Sequence, residues 1–347
     1  MDKAASVTAM LFALAWFGAG CSKPAPTLDS AHLRMFAALP EQVPPEAGGL
    51  TEEKAALGRM LYYEARLSKS QQISCNTCHP LDQYGADGEP TSGGHAGKHG
   101  DRNAPTVYNA AAHFVQFWDG RAANVEEQAK GPVLNPVEMA LPDAKAVVAV
   151  LTSMPEYVAA FQRAFPGEKD PVTFDHAAAA IGAFERRLLT PARWDKFLKG
   201  DRTALTDTEK AGFEAFNAAG CQSCHSGALV GGNLYQKLGV MEPYPDTSDL
   251  GRYKVTKNEA DILFFKAPSL RNVAKTGPYF HNGKVPTLEE AVKQMARYQL
   301  GKTLKPGEMD SIVVWLRSLT GEIPAEYIKA PQLPNGTAST PRPEPGG

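Results

Sequence analysis

The sequence predicts a mainly α fold made of two related modules, on three observations. Apolar residues recur three and four positions apart over several stretches of helix length. Runs that alternate apolar and polar residues, the mark of a half-buried strand, are scarce. One pattern also occurs twice: "LTEEKAALGRMLYYEARL" leads to "CNTCH" at 75–79, and "LTDTEKAGFEAFNAAG" leads to "CQSCH" at 221–225. Each copy has Leu-Thr, an acidic first turn, an apolar helical stripe and then Cys-x-x-Cys-His.

Residues 1–20 carry one lysine, a short apolar run and small residues before Cys21. That order is an export signal, too short and wrongly flanked for a membrane span. "GAGC" resembles a bacterial lipobox, with Gly18 where an aliphatic residue is commoner, which favours a lipid anchor on Cys21 over a soluble exported chain. No other apolar run reaches the ~18 residues a membrane helix needs.

The first module is placed at 27–190 and the second at 200–330. In the first, Thr51 precedes Glu52 and Glu53, favourable at a helix N-terminus, and Leu57, Met60 and Leu61 form one apolar face. Helical stretches follow at 143–154, 155–165 and 174–189, and "TPARWDKFLKGDRTA" connects the modules. In the second, Thr206 with Glu209 and Thr287 with Glu290 have capping-box spacing. Leu288, Ala291, Val292 and Met295 share the apolar face of the helix ending at Leu300, and "EMDSIVVWLRSL" is a further amphipathic helix. The tail 331–347 is Pro/Gly-rich and polar, hence disordered or draped along the surface.

Composition narrows the function. The 347 residues carry a net charge of −2, which argues against a nucleic-acid partner. With 31 glycines and 27 prolines the chain is loop-rich, as suits a fold organised around something other than its own secondary structure. Of five cysteines, four are used by the two motifs and the fifth is Cys21, which leaves none for structural disulfides.

Cys-x-x-Cys-His is the attachment signal of c-type haem. The two thiols add to the two vinyl groups and the adjacent histidine coordinates iron from one side. Two copies behind an export signal predict two covalent haems, with His79 and His225 as proximal ligands. What a haem does is decided on its other face: methionine raises the potential, a second histidine lowers it, and an openable position permits chemistry. For the second haem the candidates are Met295, whose alternative is core packing, and Met241 in a Pro-rich loop. For the first they are His95, His99 and His113, of which His95 alone is flanked by residues too small to block its ring; the alternative is a solvated glycine loop.

Three more residues enter by their surroundings. Trp118 is either a core aromatic or an indole wedged between redox centres. Glu138, in the Pro-bounded "NPVEM", is either an exposed loop residue or a desolvated carboxyl suited to proton transfer. Gln128 offers an amide donor to a bound oxygen ligand.

"SCNTCHP", "GGHAGKHGDRNAPTVYNA", "FWDGRA", "EEQAKGPVLNPVEM", "CQSCHSG", "APSLRNVAKTGPYFHNGKVPTLEEAV" and "MARYQLGK" follow in this order over roughly residues 45–325. On them the chain resembles the bacterial dihaem cytochrome c peroxidases, a family that also includes MauG-like enzymes. The resemblance implies two cytochrome c-like domains, each around one haem. It implies a peroxidatic haem on Cys75, Cys78 and His79 with His95 as displaceable distal ligand, and an electron-transfer haem on Cys221, Cys224 and His225 with Met295 as distal ligand. Trp118 is implied as the bridge between haems, and Gln128 and Glu138 as the polar residues that assist peroxide cleavage. A calcium ion is implied at the junction, at the positions of Asn103, Thr276 and Pro278. The family uses hydrogen peroxide, takes electrons from a small cytochrome c or a cupredoxin, works in the Gram-negative periplasm and forms homodimers. MauG-like members oxidise a protein substrate and carry tyrosine where this chain has Met295; a plain electron carrier would need neither Glu138 nor a releasable His95, and a redox sensor would show the spectral switch with negligible turnover.

Overall fold

Capped amphipathic segments set the frame of the structure, a computed structural model that describes residues 1, 28–45 and 49–344. Cys21 and the export segment lie outside them. Among the described residues eight helices have nine or more residues: α1 (Glu52–Tyr62), α2 (Val125–Leu134), α3 (Ala144–Thr152), α4 (Pro155–Ala164), α5 (Phe174–Glu185), α6 (Asp207–Ala219), α7 (Leu288–Leu300) and α8 (Pro306–Ser318). The regular strands are β1 (Tyr235–Lys237) and β2 (Phe264–Lys266), paired antiparallel with Tyr235 opposite Lys266.

The caps act largely as their spacing predicts. The Thr51 hydroxyl accepts from the Lys54 N–H at 3.2 Å, and Thr206 with Glu209 closes a reciprocal box. Thr287 caps α7 through the Glu290 N–H at 3.2 Å, but no reciprocal bond forms. The Glu290 carboxylate accepts instead from Gln294 at 3.1 Å and Lys293 at 3.3 Å, both on its own helix face.

Each module is a helix pair held at a glycine. A Cβ on Gly58 of α1 would lie 1.8 Å from the Ala180 carbonyl oxygen of α5, and one on Gly212 of α6 would lie 2.0 Å from that of Ser311 in α8. Only hydrogen fits at either crossing. Leu57, Leu61, Val147, Phe161 and Ile181 fill the first core; Phe213, Trp194, Trp315 and Leu316 fill the second. Trp194 meets Trp315 edge-on at 5.6 Å, a geometry that adds about 0.5–1.5 kcal/mol beyond burial.

Packing departs from chain order at both ends. Phe36 sits edge-on to Trp194 and Phe213 at 5.7 and 5.3 Å, and the Leu39 N–H donates to Asp195 at 2.7 Å. Residues 28–39 therefore pack with the second core although they precede α1, because an aromatic groove and not sequence proximity decides where a short apolar segment is buried. The tail crosses back to the first module, where Gln71 donates to the Pro341 carbonyl at 2.7 Å and the Glu344 N–H to that of Lys69 at 2.9 Å. Among the described residues no single helix is long and apolar enough to cross a membrane; α3 and α4 pass together only as a pair bent by 107°, and they lie in the first core.

Candidate haem and peroxide sites

Gly220, in the left-handed conformation at φ 97°, ends α6 and turns the chain into Cys221–Ser223. This delivers Cys221, Cys224 and His225 to one wall of a cavity of about 230 Å³, which Met295 enters from α7. Its lining is mainly apolar, from Leu270, Val292, Leu316 and their neighbours. The His225 Nδ1 is buried, lacks a well-formed hydrogen bond and faces the Val230 and Pro268 carbonyls; burial pushes the ring down to about 4. The imidazole is therefore neutral, the form that binds metal. Among the described residues all four cysteines are free. Two thiols, a neutral imidazole and a thioether around an apolar cavity fit a c-type haem.

Met241 is 60% exposed and rests on Gly301, outside the cavity lining. Tyr298 also stays out of that lining and meets Tyr244 edge-on at 5.2 Å. Of the three, only Met295 lines the cavity that holds Cys221, Cys224 and His225.

The same cavity is lined by Trp118, Asn103, Thr276 and Pro278. The Trp118 indole N–H donates to the Asn103 carbonyl at 2.9 Å, while the Asn103 amide donates to the Glu89 carbonyl at 2.9 Å and leaves its Oδ1 for another partner. Among the described residues no group of three or more His, Cys, Asp and Glu is placed to hold a metal ion. A cation here would rest on neutral oxygens, which calcium accepts.

The first motif is one helical turn, Cys75–Cys78, opened by a Ser74–Thr77 capping box. The Tyr62 hydroxyl donates to the His79 carbonyl at 2.8 Å, and the His79 Nδ1 lies 3.2 Å from the Gly85 carbonyl, which leaves Nε2 for iron. Burial lowers the His79 ring and pushes the Cys78 thiol up to about 11, with Glu138 among the charges acting on that thiol.

His95 is 8% exposed, and its Nδ1 is buried without a partner, an orphan that a metal would satisfy. Its N–H donates to the Glu138 carbonyl at 2.8 Å, so the two segments are joined. The neighbouring glycines do different work. A Cβ on Gly94 would meet the Val137 oxygen at 1.9 Å, so Gly94 permits close approach, whereas Gly97 takes a left-handed turn at φ 69°. His99 is exposed and bonded to the Thr91 carbonyl at 2.8 Å. The His113 ring is held by Lys266 at 2.8 Å in the lining of the cavity of Cys221, Cys224 and His225, the second-haem cavity.

Burial raises the Glu138 carboxyl, against the opposing field of Arg121 and a 2.6 Å hydrogen bond from the Asn135 amide. Gln128 is half-buried in the middle of α2, the helix that runs into this loop. Asn135 and Arg121 are absent from the candidates drawn from the sequence. The signal for Asn135 is present, since Asn-Pro opens a turn and its Oδ1 accepts from the Val137 N–H at 3.1 Å.

A family model described as di-haem cytochrome c peroxidase matches residues 52–203, and one described as RoxA-like, cytochrome c-like matches 264–300. The chain is 46% identical over 316 residues to the cytochrome c551 peroxidase of Pseudomonas aeruginosa, covering 89% of this chain and 90% of that protein. The chain belongs to the dihaem cytochrome c peroxidase family. Membership gives it two c-type haems. The cytochrome c551 peroxidase of Nitrosomonas europaea is also 46% identical, over 84% of this chain and 87% of that one. The methylamine utilization protein MauG of Methylorubrum extorquens is more distant, at 35% over 88% and 89%. Among solved structures, a MauG-like protein associated with microbial copper homeostasis superposes with TM-score 0.73 at 28% identity, covering 84% of this chain and 97% of that one. Three relatives at 43–46% identity are named cytochrome c peroxidases, whereas the two named MauG stand at 32–35%.

Proposed function

We propose that the chain reduces hydrogen peroxide to water in the periplasm, with electrons from a small cytochrome c or a cupredoxin. The observation that carries this is His95, whose buried, orphaned ring sits on a short turn hydrogen-bonded to the loop of Glu138. A permanent ligand would block peroxide, so a histidine on such a turn fits a gate.

In this reading Cys75, Cys78, His79 and His95 would hold the first haem, and Cys221, Cys224, His225 and Met295 the second. When bound, the haems would supply redox-active iron for peroxide reduction. Glu138, ionised, takes the proton from the nearer peroxide oxygen and returns it to the farther one, which leaves as water. Asn135 keeps that carboxylate aimed, and Gln128 donates to the bound oxygens. Trp118, bonded to Asn103 in the lining of the second-haem cavity, bridges the redox centres. The Asn103 Oδ1 and the backbone carbonyls of Thr276 and Pro278 hold a calcium ion at the junction. Anchoring through a lipid on Cys21, modules bounded near residue 190 and a homodimer complete the proposal.

Electron paramagnetic resonance of oxidised and half-reduced protein, paired with peroxide turnover, tests it. High-spin first haem that appears only at half reduction, with turnover, is the expected result. A spectral switch without turnover would instead mark a sensor.

A further inference from the structure

Lys266, at the end of β2, is 6% exposed in the wall of the second-haem cavity. Its Nζ lies 2.8 Å from the His113 Nδ1 and donates to the Val115 carbonyl at 3.1 Å. No ion pair joins it to a carboxylate among the described residues. Asp119, the acid whose field reaches it, is committed to Arg102 at 2.6 Å and to Arg121 at 3.0 Å. A buried ammonium without a counter-charge is unfavourable, and burial pushes Lys266 down to about 7 in the chain alone.

An ammonium has three protons and no acceptor, so His113 accepts at Nδ1 and bears its own proton at Nε2. That Nε2 is buried without a partner, faces Gly232 and points away from Lys266, while both residues belong to the cavity lining. One donor of the pair is thus left over on the Lys266 side, the third N–H of the ammonium. It matches an oxygen of a carboxylate, with which an ammonium forms a charge-assisted bond. The cavity also holds Cys221, Cys224 and His225, and a haem attached there brings only one kind of anion into it, its propionate side chains.

We propose that Lys266, oriented by His113, is the receptor for a propionate carboxylate of the second haem. The inference rests on assigning that haem to Cys221, Cys224 and His225. Lys266 comes from the second module and His113 with Val115 from the first, so the ammonium that receives the carboxylate is itself held across the junction. The retained positive charge then favours the reduced, less positive haem. Lys266 positions the cofactor and tunes it, and takes no part in the peroxide chemistry.

The test is a spectroelectrochemical titration of the second haem in Lys266→Met and Lys266→Arg holoprotein. The expected result is a lower midpoint potential in Lys266→Met, recovered in Lys266→Arg, together with a new pH dependence in Lys266→Met as the released propionate titrates. An unchanged potential and pH profile in Lys266→Met overturns the proposal. Where that variant yields no folded holoprotein, redox-difference infrared spectroscopy of the wild type decides. A carboxylate band that responds to reduction of the second haem supports the receptor, and no carboxylate response overturns it. The mass of the peptide carrying Cys221 and Cys224 tests the haem assignment separately.

Discussion

The N–H of His95 donates to the carbonyl of Glu138 at 2.8 Å, so the residue proposed to leave the iron and the residue proposed to move the proton share one strip of backbone. Replacing His95 with glycine should give turnover in fully oxidised protein, with a high-spin first haem before any reduction. Gly94→Ala should have a related effect by another route, because its methyl would meet the Val137 oxygen at 1.9 Å and push the His95 turn away. Unchanged dependence on prior reduction in His95→Gly counts against the gate.

Glu138→Gln should bind peroxide and cleave it about 10²–10⁴-fold more slowly, the usual contribution of a positioned acid–base group. Asn135→Ala gives a finer test. The Asn135 amide stabilises the ionised carboxyl, so its loss should raise the Glu138 pKa further and move the acid limb of the rate profile to higher pH. Near-normal turnover in Glu138→Gln would remove the residue from the mechanism.

Much of this was legible in the chain because haem chemistry leaves short, local marks. The two Cys-x-x-Cys-His motifs, the threonine caps and the apolar face carrying Met295 depend on neighbours within a turn or two. Long-range partners left no such mark. Phe36 joins the second core from far upstream, and His113 is paired by a lysine from the other module. The Gly94 contact depends on where Val137 comes to lie, which no local pattern encodes.

Met295→His should lower the midpoint potential of the second haem, since imidazole stabilises oxidised iron more than a thioether does. With a weaker acceptor, activation by the donor should slow as well. A redox titration that registers no shift would mean that Met295 is not a ligand.

Asp249 receives Arg102 at 2.6 Å and ties the two modules together, with Asp119 on the same guanidinium. Burial alone would raise its carboxyl, but the Arg102 guanidinium holds it far below the usual range. A depressed folded pKa gives stability that is complete above the unfolded value of about 3.9 and lost as pH falls through the folded one. Asp249→Asn should therefore remove about 3–5 kcal/mol near neutral pH, the usual effect of breaking a buried pair, and flatten the acid limb of the stability curve. Denaturant titrations at pH 7 and pH 3 compare the two proteins; equal losses at both would assign the effect to packing.

The tail is tied to the distal loop through one intermediate. The Glu344 N–H donates to the Lys69 carbonyl at 2.9 Å, and the Lys69 N–H donates to the Met139 carbonyl at 2.7 Å, next to Glu138. Further along, Arg66 donates to the Pro334 carbonyl at 2.9 Å and Thr337 to that of Ser153 at 2.8 Å. Each such bond contributes about 0.5–1.5 kcal/mol net, against the entropy of ordering a Pro-rich segment already restricted in its unfolded state. Truncation after Ala330 should lower the thermal midpoint and raise the high-spin fraction of the first haem in oxidised protein, while leaving the spectrum of the second unchanged. Loss confined to the second haem would show that the tail supports the other module instead.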